Sequence, residues 1–281
     1  MALVAPTRPA TVGDSLAEAA ERFRASGTIA PRLTAETLLA HVLGVERVYL
    51  YAHPEHETTR DEAARFEALV ARREAGEPTQ YLTGVQEFYG RAFRVTPDVL
   101  IPRPETEHLV EAVLAAPGRR VLDMATGSGA IGVTLALELA DTRVFASDVS
   151  QAALAVAADN AGRLGAQVEF LASDYLTAMR AGSFDLIACN PPYVAESAEL
   201  QPEIAHEPGS AVFGGEFGWE PYARVIPQAA QMLKPGGRLV LELGHDSFTA
   251  VQELYKVGPW SEVSVTKDLA GIARVAAAER I

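Results

Sequence analysis

The fold of this chain is decided by one stretch of sequence, Val121-Leu122-Asp123-Met124-Ala125-Thr126-Gly127-Ser128-Gly129-Ala130-Ile131-Gly132. It begins with apolar residues typical of a buried strand, passes through a glycine-rich turn and ends in residues that favour a helix. Gly127 and Gly129 let the backbone turn tightly and approach a ligand, and the next helix presents free amides at its N-terminus. The stretch therefore predicts a strand–loop–helix unit with a ligand site in its loop.

The same alternation of strand and helix continues along the chain. Apolar runs predict strands at 120–124, 143–147, 167–172, 184–189 and 238–243, and amphipathic segments predict helices near 130–140, 151–164 and 220–233. This alternation is typical of an α/β fold with a mostly parallel, doubly wound sheet. Only a turn separates two final strands, at 262–266 and 272–277, so one of them must run antiparallel.

Three segments are predicted along the chain. Residues 1–77 favour helices, residues 78–103 a β-hairpin connector, and residues 104–281 the α/β domain. The connector is predicted from strand-like runs separated by glycine and proline, at 80–82, 88–89, 93–95 and 99–101.

The N-terminal segment carries three helix-start signals. Asp14 and Thr34 precede apolar positions with helical spacing and are predicted as N-caps. Thr59, followed by Glu62, spells a capping box. The apolar stripes indicate a small helical bundle that packs on itself, and binding of a partner is the alternative interpretation.

The amino-acid composition excludes several classes of protein. The 281 residues carry a formal net charge of −13, which argues against a protein that coats nucleic acid through its phosphates. The single cysteine, Cys189, excludes an internal disulfide framework, and its place at the end of an apolar strand indicates buried packing. No signal peptide or membrane span is recognised and the six histidines lack zinc-ligand spacing, so we expect a cytoplasmic protein with no metal and no membrane partner.

The residues around the glycine loop indicate a nucleoside cofactor. Asp148 ends the next strand, where its carboxylate can accept both hydroxyls of a ribose. Gly127, Gly129 and Gly132 also spell the dinucleotide pattern G-x-G-x-x-G, so NAD is an alternative.

Three further side chains favour S-adenosylmethionine over NAD. Asp123, at the strand end, can meet a cationic amino-acid group, which NAD lacks. At the end of the third strand, Asp174 can accept from the adenine amine and Tyr175 can stack on the purine.

A second signal is Asn190-Pro191-Pro192-Tyr193, directly after the strand at 184–189. Two prolines cannot continue a ladder, so they force the chain out of the sheet with its carbonyls exposed. A planar amide or aromatic amine has a delocalised lone pair, so its N–H groups must be held by acceptors outside its plane before the nitrogen attacks a methyl group. The Asn190 oxygen and the Pro191 carbonyl can be those acceptors, and the Tyr193 ring can pack on the flat group.

This tetrapeptide resembles the motif of amino methyltransferases that act on planar nitrogens. Within that group the whole chain resembles the release factor glutamine methyltransferases (PrmC, also called HemK). The most particular matches are Gln80-Tyr81-Leu82-Thr83-Gly84, Leu100-Ile101-Pro102-Arg103-Pro104-Glu105-Thr106-Glu107, Lys234-Pro235-Gly236-Gly237, Glu242-Leu243-Gly244 and Lys267-Asp268-Leu269-Ala270-Gly271.

The resemblance implies a fold, a reaction and a partner. The fold would be the Rossmann-like sheet of class I S-adenosylmethionine-dependent methyltransferases, preceded by helices that help grip the substrate protein. The reaction would transfer a methyl group from S-adenosylmethionine to the side-chain amide (N5) of the glutamine in the Gly-Gly-Gln loop of class 1 peptide chain release factors, and would leave S-adenosylhomocysteine. The family suggests a monomer, and no DNA duplex is expected as a partner.

Together with the assignments above, the resemblance gives each site residue a role. The cofactor-binding residues are Asp123, Ala125, Thr126, Gly127, Ser128, Gly129, Asp148, Asp174, Tyr175 and Asn190. Asn190, Pro191, Pro192 and Tyr193 would hold the substrate glutamine, and all of these except Pro192 form the predicted catalytic group. Ala125 stands where the family usually has glycine, and Tyr175 where some members carry tryptophan. Arg103 is expected to organise the entrance to the site.

Two other functions stay open. An N6-adenine DNA methyltransferase shares the tetrapeptide, but it would need a target-recognition segment and a basic cleft for a flipped base. A non-catalytic protein that holds a nucleoside cofactor is the other alternative, although pure binding would not need Asn190 and Tyr193.

Overall fold

A computed structural model describes residues 10–177 and 179–281 of the chain. This described part forms two compact units. The first contains the residues up to Gly84 together with Gln201–His206, and the second contains those of Val85–Leu200 and Glu207–Ile281. The boundaries expected after residues 77 and 103 stay predictions.

The first unit is helical. Its helices are α1 (Val12–Ala25), α2 (Pro31–Leu43), α3 (Arg47–Ala52), α4 (Arg60–Glu74) and α5 (Thr79–Thr83). Their apolar faces meet in a core formed chiefly by Leu16, Phe23, Leu38, Leu39, Phe66 and Val70. Helices of this length are marginal in water, so burial of these faces supplies most of their stability.

The predicted helix starts differ in outcome. The capping box at Thr59 is confirmed at the start of α4. Thr11 caps α1, and Asp14 completes a capping box from inside the helix, so Asp14 is wrong as an N-cap. Thr34 is also wrong, because α2 begins earlier at Pro31. Proline suits a first helical position, where its fixed φ fits and its missing N–H costs no hydrogen bond.

The predicted connector contains a hairpin and a helix. Strands β1 (Val85–Phe88) and β2 (Arg91–Arg94) pair antiparallel, which confirms the hairpin. Residues 80–82 are wrong as a strand, because they lie in α5, and residues 99–101 form no strand either. Apolar runs of three residues are too short to distinguish strand from helix or turn.

Among the described residues, the second unit contains a seven-stranded sheet. Its strands are β3 (Arg120–Met124), β4 (Arg143–Asp148), β5 (Val168–Ala172), β6 (Phe184–Cys189), β7 (Leu233–Glu242), β8 (Ser264–Lys267) and β9 (Ala273–Glu279). Their order is β5-β4-β3-β6-β7-β9-β8, with β9 antiparallel to both neighbours and the other neighbouring pairs parallel. The predicted mostly parallel sheet with an antiparallel C-terminal strand is confirmed.

Helices lie on both faces of this sheet. They are α6 (Glu107–Leu114), α7 (Ala130–Glu138), α8 (Gln151–Leu164), α9 (Gly209–Val212), α10 (Glu220–Met232) and α11 (Phe248–Tyr255). Successive strand residues enter opposite cores: Leu122 packs in the cluster that contains α10 and α11, whereas Val121 packs in the cluster that contains α6 and α7.

The strand order places the two predicted motifs side by side. From β3 the chain moves outward to β4 and β5, then returns to β6 on the other side of β3. β3 and β6 are parallel neighbours, with Met124 opposite Cys189. The loops that follow them, residues 125–129 and 190–193, therefore leave the same edge of the sheet. Open α/β sheets bind ligands at such a reversal.

Candidate active site

The glycine loop after β3 is held by the carboxylate of Asp123. Oδ2 of Asp123 accepts a hydrogen bond from the Thr126 hydroxyl at 2.5 Å and another from the Gly132 amide at 2.8 Å. A Cβ atom at Gly132 would lie 2.9 Å from that oxygen, so glycine lets α7 approach the strand end. Burial raises the pKa of Asp123 to about 7, against the opposing effect of the two hydrogen bonds.

Asp123 is completely buried and does not line the cavity described below. Its Oδ1 is buried without a hydrogen-bond partner among the described residues. The structure thus makes Asp123 a support of the loop. Direct contact with the amino-acid group of a cofactor stays a prediction, for which Oδ1 is the unengaged atom.

The loop itself turns through three left-handed residues. The φ angles are 58° at Ala125, 54° at Gly127 and 84° at Gly129. Glycine adopts such angles freely, whereas the Cβ of alanine makes them costly. The carbonyl of Ser128 accepts a hydrogen bond from Nδ2 of Asn160 at 2.9 Å, which ties the loop to α8.

Asp148 joins the loop to the end of β4. Its Oδ2 accepts a hydrogen bond from the Gly127 amide and its Oδ1 one from the Ser150 amide, both at 2.9 Å. An ionised carboxylate can accept about four hydrogen bonds, so each oxygen keeps capacity for a ligand hydroxyl. The geometry suits the ribose role predicted for Asp148.

Arg224 on α10 organises the side of the site predicted to hold adenine. It pairs with Asp174 at 2.8 Å, and its guanidinium carbon lies 4.6 Å from the centre of the Tyr175 ring. Since Arg224 occupies the Asp174 carboxylate, a ligand amine would have to share it. No pattern in the sequence indicates Arg224, which stands 50 residues from Asp174 along the chain.

A cavity of about 230 Å³ lies above these elements. The site residues predicted from the sequence that line this cavity are Ala125, Gly127, Asp148, Asp174, Tyr175, Asn190 and Pro192. Residues that the sequence did not reveal include Leu100, Val149, Ser150, Pro208, Ser210 and Arg224. Val149 is 65 % exposed. The sequence signal that could have identified Val149 is its place as an apolar residue directly after Asp148, at the end of a strand.

Other predicted residues lie outside this cavity, and two of them, Thr126 and Ser128, line a smaller cavity. Asp123, Thr126, Ser128, Gly129, Pro191 and Tyr193 do not line the cavity. Thr126 and Ser128 are buried and shape the loop through the contacts given above.

The chain leaves β6 at Asn190. Its Nδ2 donates a hydrogen bond to Oγ1 of Thr106 at 3.3 Å, and its Oδ1 has no hydrogen-bond partner in the described part of the chain. Asn190 lines the cavity of about 230 Å³ and also a smaller one of about 50 Å³, which Arg103, Thr106 and Ala125 line as well. Asn190 is therefore placed between the cofactor loop and a second opening.

Tyr193 is anchored from the next strand. Its hydroxyl donates to Oε1 of Glu242 at 3.2 Å, and burial raises the pKa of Tyr193. The backbone of the tetrapeptide lies in close contact with two glycines. A Cβ at Gly214 would lie 2.6 Å from the Pro192 carbonyl oxygen, and one at Gly218 would lie 2.4 Å from that of Tyr193. The tetrapeptide is thus held by both side-chain and backbone packing.

Arg103 is fixed by a buried acid. It forms an ion pair with Glu207, whose other carboxylate oxygen accepts the Ile101 amide at 3.1 Å. Arg103 lines the smaller cavity, while its expected role at the entrance stays a prediction.

The chain is similar to known proteins along most of its length. Residues 14–84 match the family model of the PrmC N-terminal domain, and residues 104–208 match that of the methyltransferase small domain. A release factor glutamine methyltransferase of Koribacter versatilis is 48 % identical, over 94 % of this chain and 97 % of its own length. The chain belongs to the release factor glutamine methyltransferase family. Relatives of the same name from Moorella thermoacetica and Bordetella pertussis are 43 % and 46 % identical, over 93 % and 87 % of this chain and 95 % and 93 % of theirs.

Solved structures of other methyltransferases share the fold of this family member. The catalytic domain of hMettl16, in complex with a MAT2A 3'UTR hairpin, gives a TM-score of 0.55 at 17 % identity over 79 % of this chain and 80 % of that one. A methyltransferase from Pyrococcus furiosus gives 0.53 at 21 % identity, over 79 % and 98 %. These likenesses confirm the class I methyltransferase fold.

Two kinds of feature are absent from the described residues. Within residues 10–177 and 179–281, no helix is both long and apolar enough to cross a membrane. In the same residues, no cluster of histidine, cysteine and acidic side chains could hold a metal ion.

Proposed function

We propose that this chain transfers a methyl group from S-adenosylmethionine to the side-chain amide nitrogen of the glutamine in the Gly-Gly-Gln loop of class 1 peptide chain release factors. The observation that carries the proposal is Asn190, which lies at the reversal of the strand order with Oδ1 unengaged and lines two adjoining cavities. Membership of the family supplies the reaction and the substrate class.

The walls of the larger cavity fit S-adenosylmethionine. Asp148 supplies acceptors for ribose hydroxyls, and Tyr175 supplies an aromatic face for adenine. Gly127 adds no side chain to the cavity, and Asp123 supports the loop from a buried position outside it. When bound, the cofactor supplies an electrophilic methyl group on a sulfonium.

The smaller cavity would admit the glutamine. Its amide nitrogen is a weak nucleophile because the lone pair is delocalised into the carbonyl. Oδ1 of Asn190 and the carbonyl of Pro191, neither of which accepts a hydrogen bond from the described residues, would hold the two N–H groups. This alignment points the nitrogen lone pair at the methyl carbon.

The transfer needs no strong base, because the nitrogen proton can leave after the methyl group has been transferred. The glutamine nitrogen held by Asn190 and Pro191 would form the new bond to the methyl carbon and release one proton to solvent, while the cofactor sulfur would keep the electron pair of the broken sulfur–methyl bond. S-adenosylhomocysteine and methylated glutamine are the products.

The first unit would help grip the release factor, because it carries no part of the cavities described above. We expect kcat/KM to be higher for the whole release factor than for a short Gly-Gly-Gln peptide. Equal values would leave the helices without a role in recognition.

We also expect the enzyme to work as a monomer in the cytoplasm, which size-exclusion chromatography and cell fractionation would check.

The decisive experiment is a competition in one reaction. Labelled S-adenosylmethionine is mixed with the protein, an unmodified class 1 release factor and duplex DNA, and the products are separated and mapped by mass spectrometry. A release factor with asparagine in place of the Gly-Gly-Gln glutamine is the matched control. Label on the glutamine peptide supports the proposal, label on DNA favours the adenine methyltransferase, and label on neither favours a protein that only binds the cofactor.

A further inference from the structure

A buried amide on α8 bridges the glycine loop and the end of the hairpin. Asn160 is 1 % exposed. Its Oδ1 accepts a hydrogen bond from the Arg94 amide at 2.7 Å, and its Nδ2 donates to the carbonyls of Arg94 and Ser128, each at 2.9 Å. Arg94 ends β2, and Ser128 lies in the glycine loop. One side chain therefore joins two backbone segments that lie 66 and 32 positions away from it along the chain.

These hydrogen bonds fix the orientation of the Asn160 amide. An asparagine side chain offers one acceptor oxygen and an NH₂ group with two donors. Its surroundings offer one N–H and two carbonyls, so each group of the amide meets its complement. A rotation of the amide by 180° would place NH₂ against the N–H and the oxygen against both carbonyls. Because the site is buried, such mismatches would cost the full desolvation penalty of each group.

The two segments that Asn160 joins continue into the walls of both cavities. Residues 98–100, which follow β2 closely, line the cavity of about 230 Å³ together with Ala125 and Gly127 of the glycine loop. Leu100 and residues 125–128 line the smaller cavity. Each cavity is therefore lined by residues of both segments. The position of Asn160 bears on the spacing of these walls.

Close packing makes both segments follow Asn160. Val95 and Val99, on the stretch that leads from β2 to the cavities, are 2 % and 1 % exposed. On the other side, a Cβ atom at Gly129 would lie 3.1 Å from the Cβ of Ala157, which is almost one turn before Asn160 on α8. Close-packed interiors transmit displacements, so a change at Asn160 would move both walls.

We propose that Asn160 is a positioning residue for the cofactor: by holding the glycine loop and the end of β2 together, it sets the spacing of the walls between which S-adenosylmethionine binds. The inference rests on the proposed function, in which the larger cavity holds that cofactor. Asn160 lines neither cavity, so it acts without touching the cofactor. Coupling between two sites is reciprocal, so cofactor binding must in turn stabilise the hydrogen bonds between Asn160 and Arg94.

Asn160→Asp tests the bridge with almost no change in side-chain shape. The new side chain keeps an acceptor for the Arg94 amide but has at most one proton for the two carbonyls. We expect the Kd for S-adenosylmethionine, measured by calorimetry, to rise about 30-fold, because a buried carbonyl is left without its donor.

Ala161→Gly is the matched control, because it weakens the same helix and leaves the bridge in place. Ala161 is the next residue of α8 and is buried, and glycine in a helix interior lowers stability. We expect its urea midpoint to fall while the Kd for S-adenosylmethionine stays within about threefold of wild type. An equal loss of affinity in the control and in Asn160→Asp would show that helix stability sets the Kd, which overturns the inference.

Amide hydrogen exchange at Arg94, followed by NMR, gives a readout that a merely structural role would not move. In the wild type we expect saturating S-adenosylmethionine to slow this exchange about tenfold. The amides of β8, which lies at the opposite edge of the sheet from β5, are the reference and should change less than about twofold. In Asn160→Asp the slowing at Arg94 should disappear.

Three further results would each overturn the inference. They are a wild-type Kd in Asn160→Asp, exchange at Arg94 in the wild type that the cofactor leaves unchanged, and a slowing that persists in Asn160→Asp. If that variant does not fold, the exchange at Arg94 in the wild type still decides. A wild-type protein that binds no S-adenosylmethionine would instead contradict the proposed function itself.

Discussion

The loop after β3 and the loop after β6 leave the same edge of the sheet, but they are held in different ways. The first is supported from within by Asp123, which holds Thr126 three positions away and Gly132 nine positions away, and from outside by Asp148 and Asn160 across 21 and 32 positions. The second depends on distant partners, with Asn190 bound to Thr106 across 84 positions and Tyr193 to Glu242 across 49. A glycine loop held in part by its own neighbours in sequence is thus paired with a tetrapeptide loop that distant parts of the domain must position.

The largest expected effect tests whether the glycine loop serves cofactor binding while the tetrapeptide serves the transfer reaction. Asn190→Ala removes the acceptor proposed for the substrate and leaves the residues of the glycine loop unchanged. We expect kcat to fall about 10³-fold, because one preorganised hydrogen-bonding group at a reacting centre contributes roughly that much. The Kd for S-adenosylmethionine, measured by calorimetry, should stay within about threefold. A comparable loss of cofactor affinity would contradict the division.

Asp148→Ala tests the opposite side of the comparison. The carboxylate supports the Gly127 and Ser150 amides and would bind ribose hydroxyls, so its loss should weaken cofactor binding about 100-fold. The kcat at saturating cofactor should change much less. Calorimetric titration checks this, and an unchanged affinity would remove Asp148 from the ribose site.

Gly132→Ala tests the internal support of the cofactor loop. The new methyl group would lie 2.9 Å from Oδ2 of Asp123 and must displace a buried carboxylate. We expect the free energy of unfolding to fall by about 2 kcal/mol, together with weaker cofactor binding. Gly162→Ala in α8 is the matched control, because nothing lies within 4 Å of its Cβ position. The control should gain about 0.5–1 kcal/mol in urea unfolding, and equal losses in both would argue against the close contact.

The smallest effect concerns Ala125, whose φ of 58° suits glycine better than alanine. Ala125→Gly relieves about 1 kcal/mol of backbone strain but makes the unfolded chain more flexible, which offsets most of the gain. We expect the free energy of unfolding to rise by a few tenths of a kcal/mol at about constant kcat. A clear loss of stability on urea unfolding would show that the alanine methyl contributes packing that the strain argument omits.

Much of the fold could be predicted from the sequence because its signals are periodic and local. The strands and helices of the second unit follow apolar runs, and the capping box at Thr59 needs only four residues. Predictions failed where a short signal was ambiguous. Residues 80–82 form part of α5, which ends where Gly84 adopts a φ of 74°. Pro31 rather than Thr34 starts α2.

The candidate site could be predicted from the sequence about as far as the fold could. The cavity includes Gly127, Asp148, Tyr175 and Asn190, because each stands at the carboxyl end of a predicted strand. Arg224 was missed because a helix arginine carries no local signal, and its partner Asp174 is far away in sequence.

The sequence by itself determined the α/β class, the glycine loop with its acidic neighbours and the tetrapeptide that exposes an amide at a strand end. These depend on side-chain periodicity and on the backbone limits of glycine and proline, which act over a few residues. The tertiary structure alone decided that Asp123 is fully buried outside the cavity, that Arg224 lies over the Tyr175 ring, that Asn190 pairs with Thr106 and that Tyr193 pairs with Glu242. Those contacts join residues on different strands and helices, and burial and hydrogen-bond direction are set only when the strands pair and the helices pack.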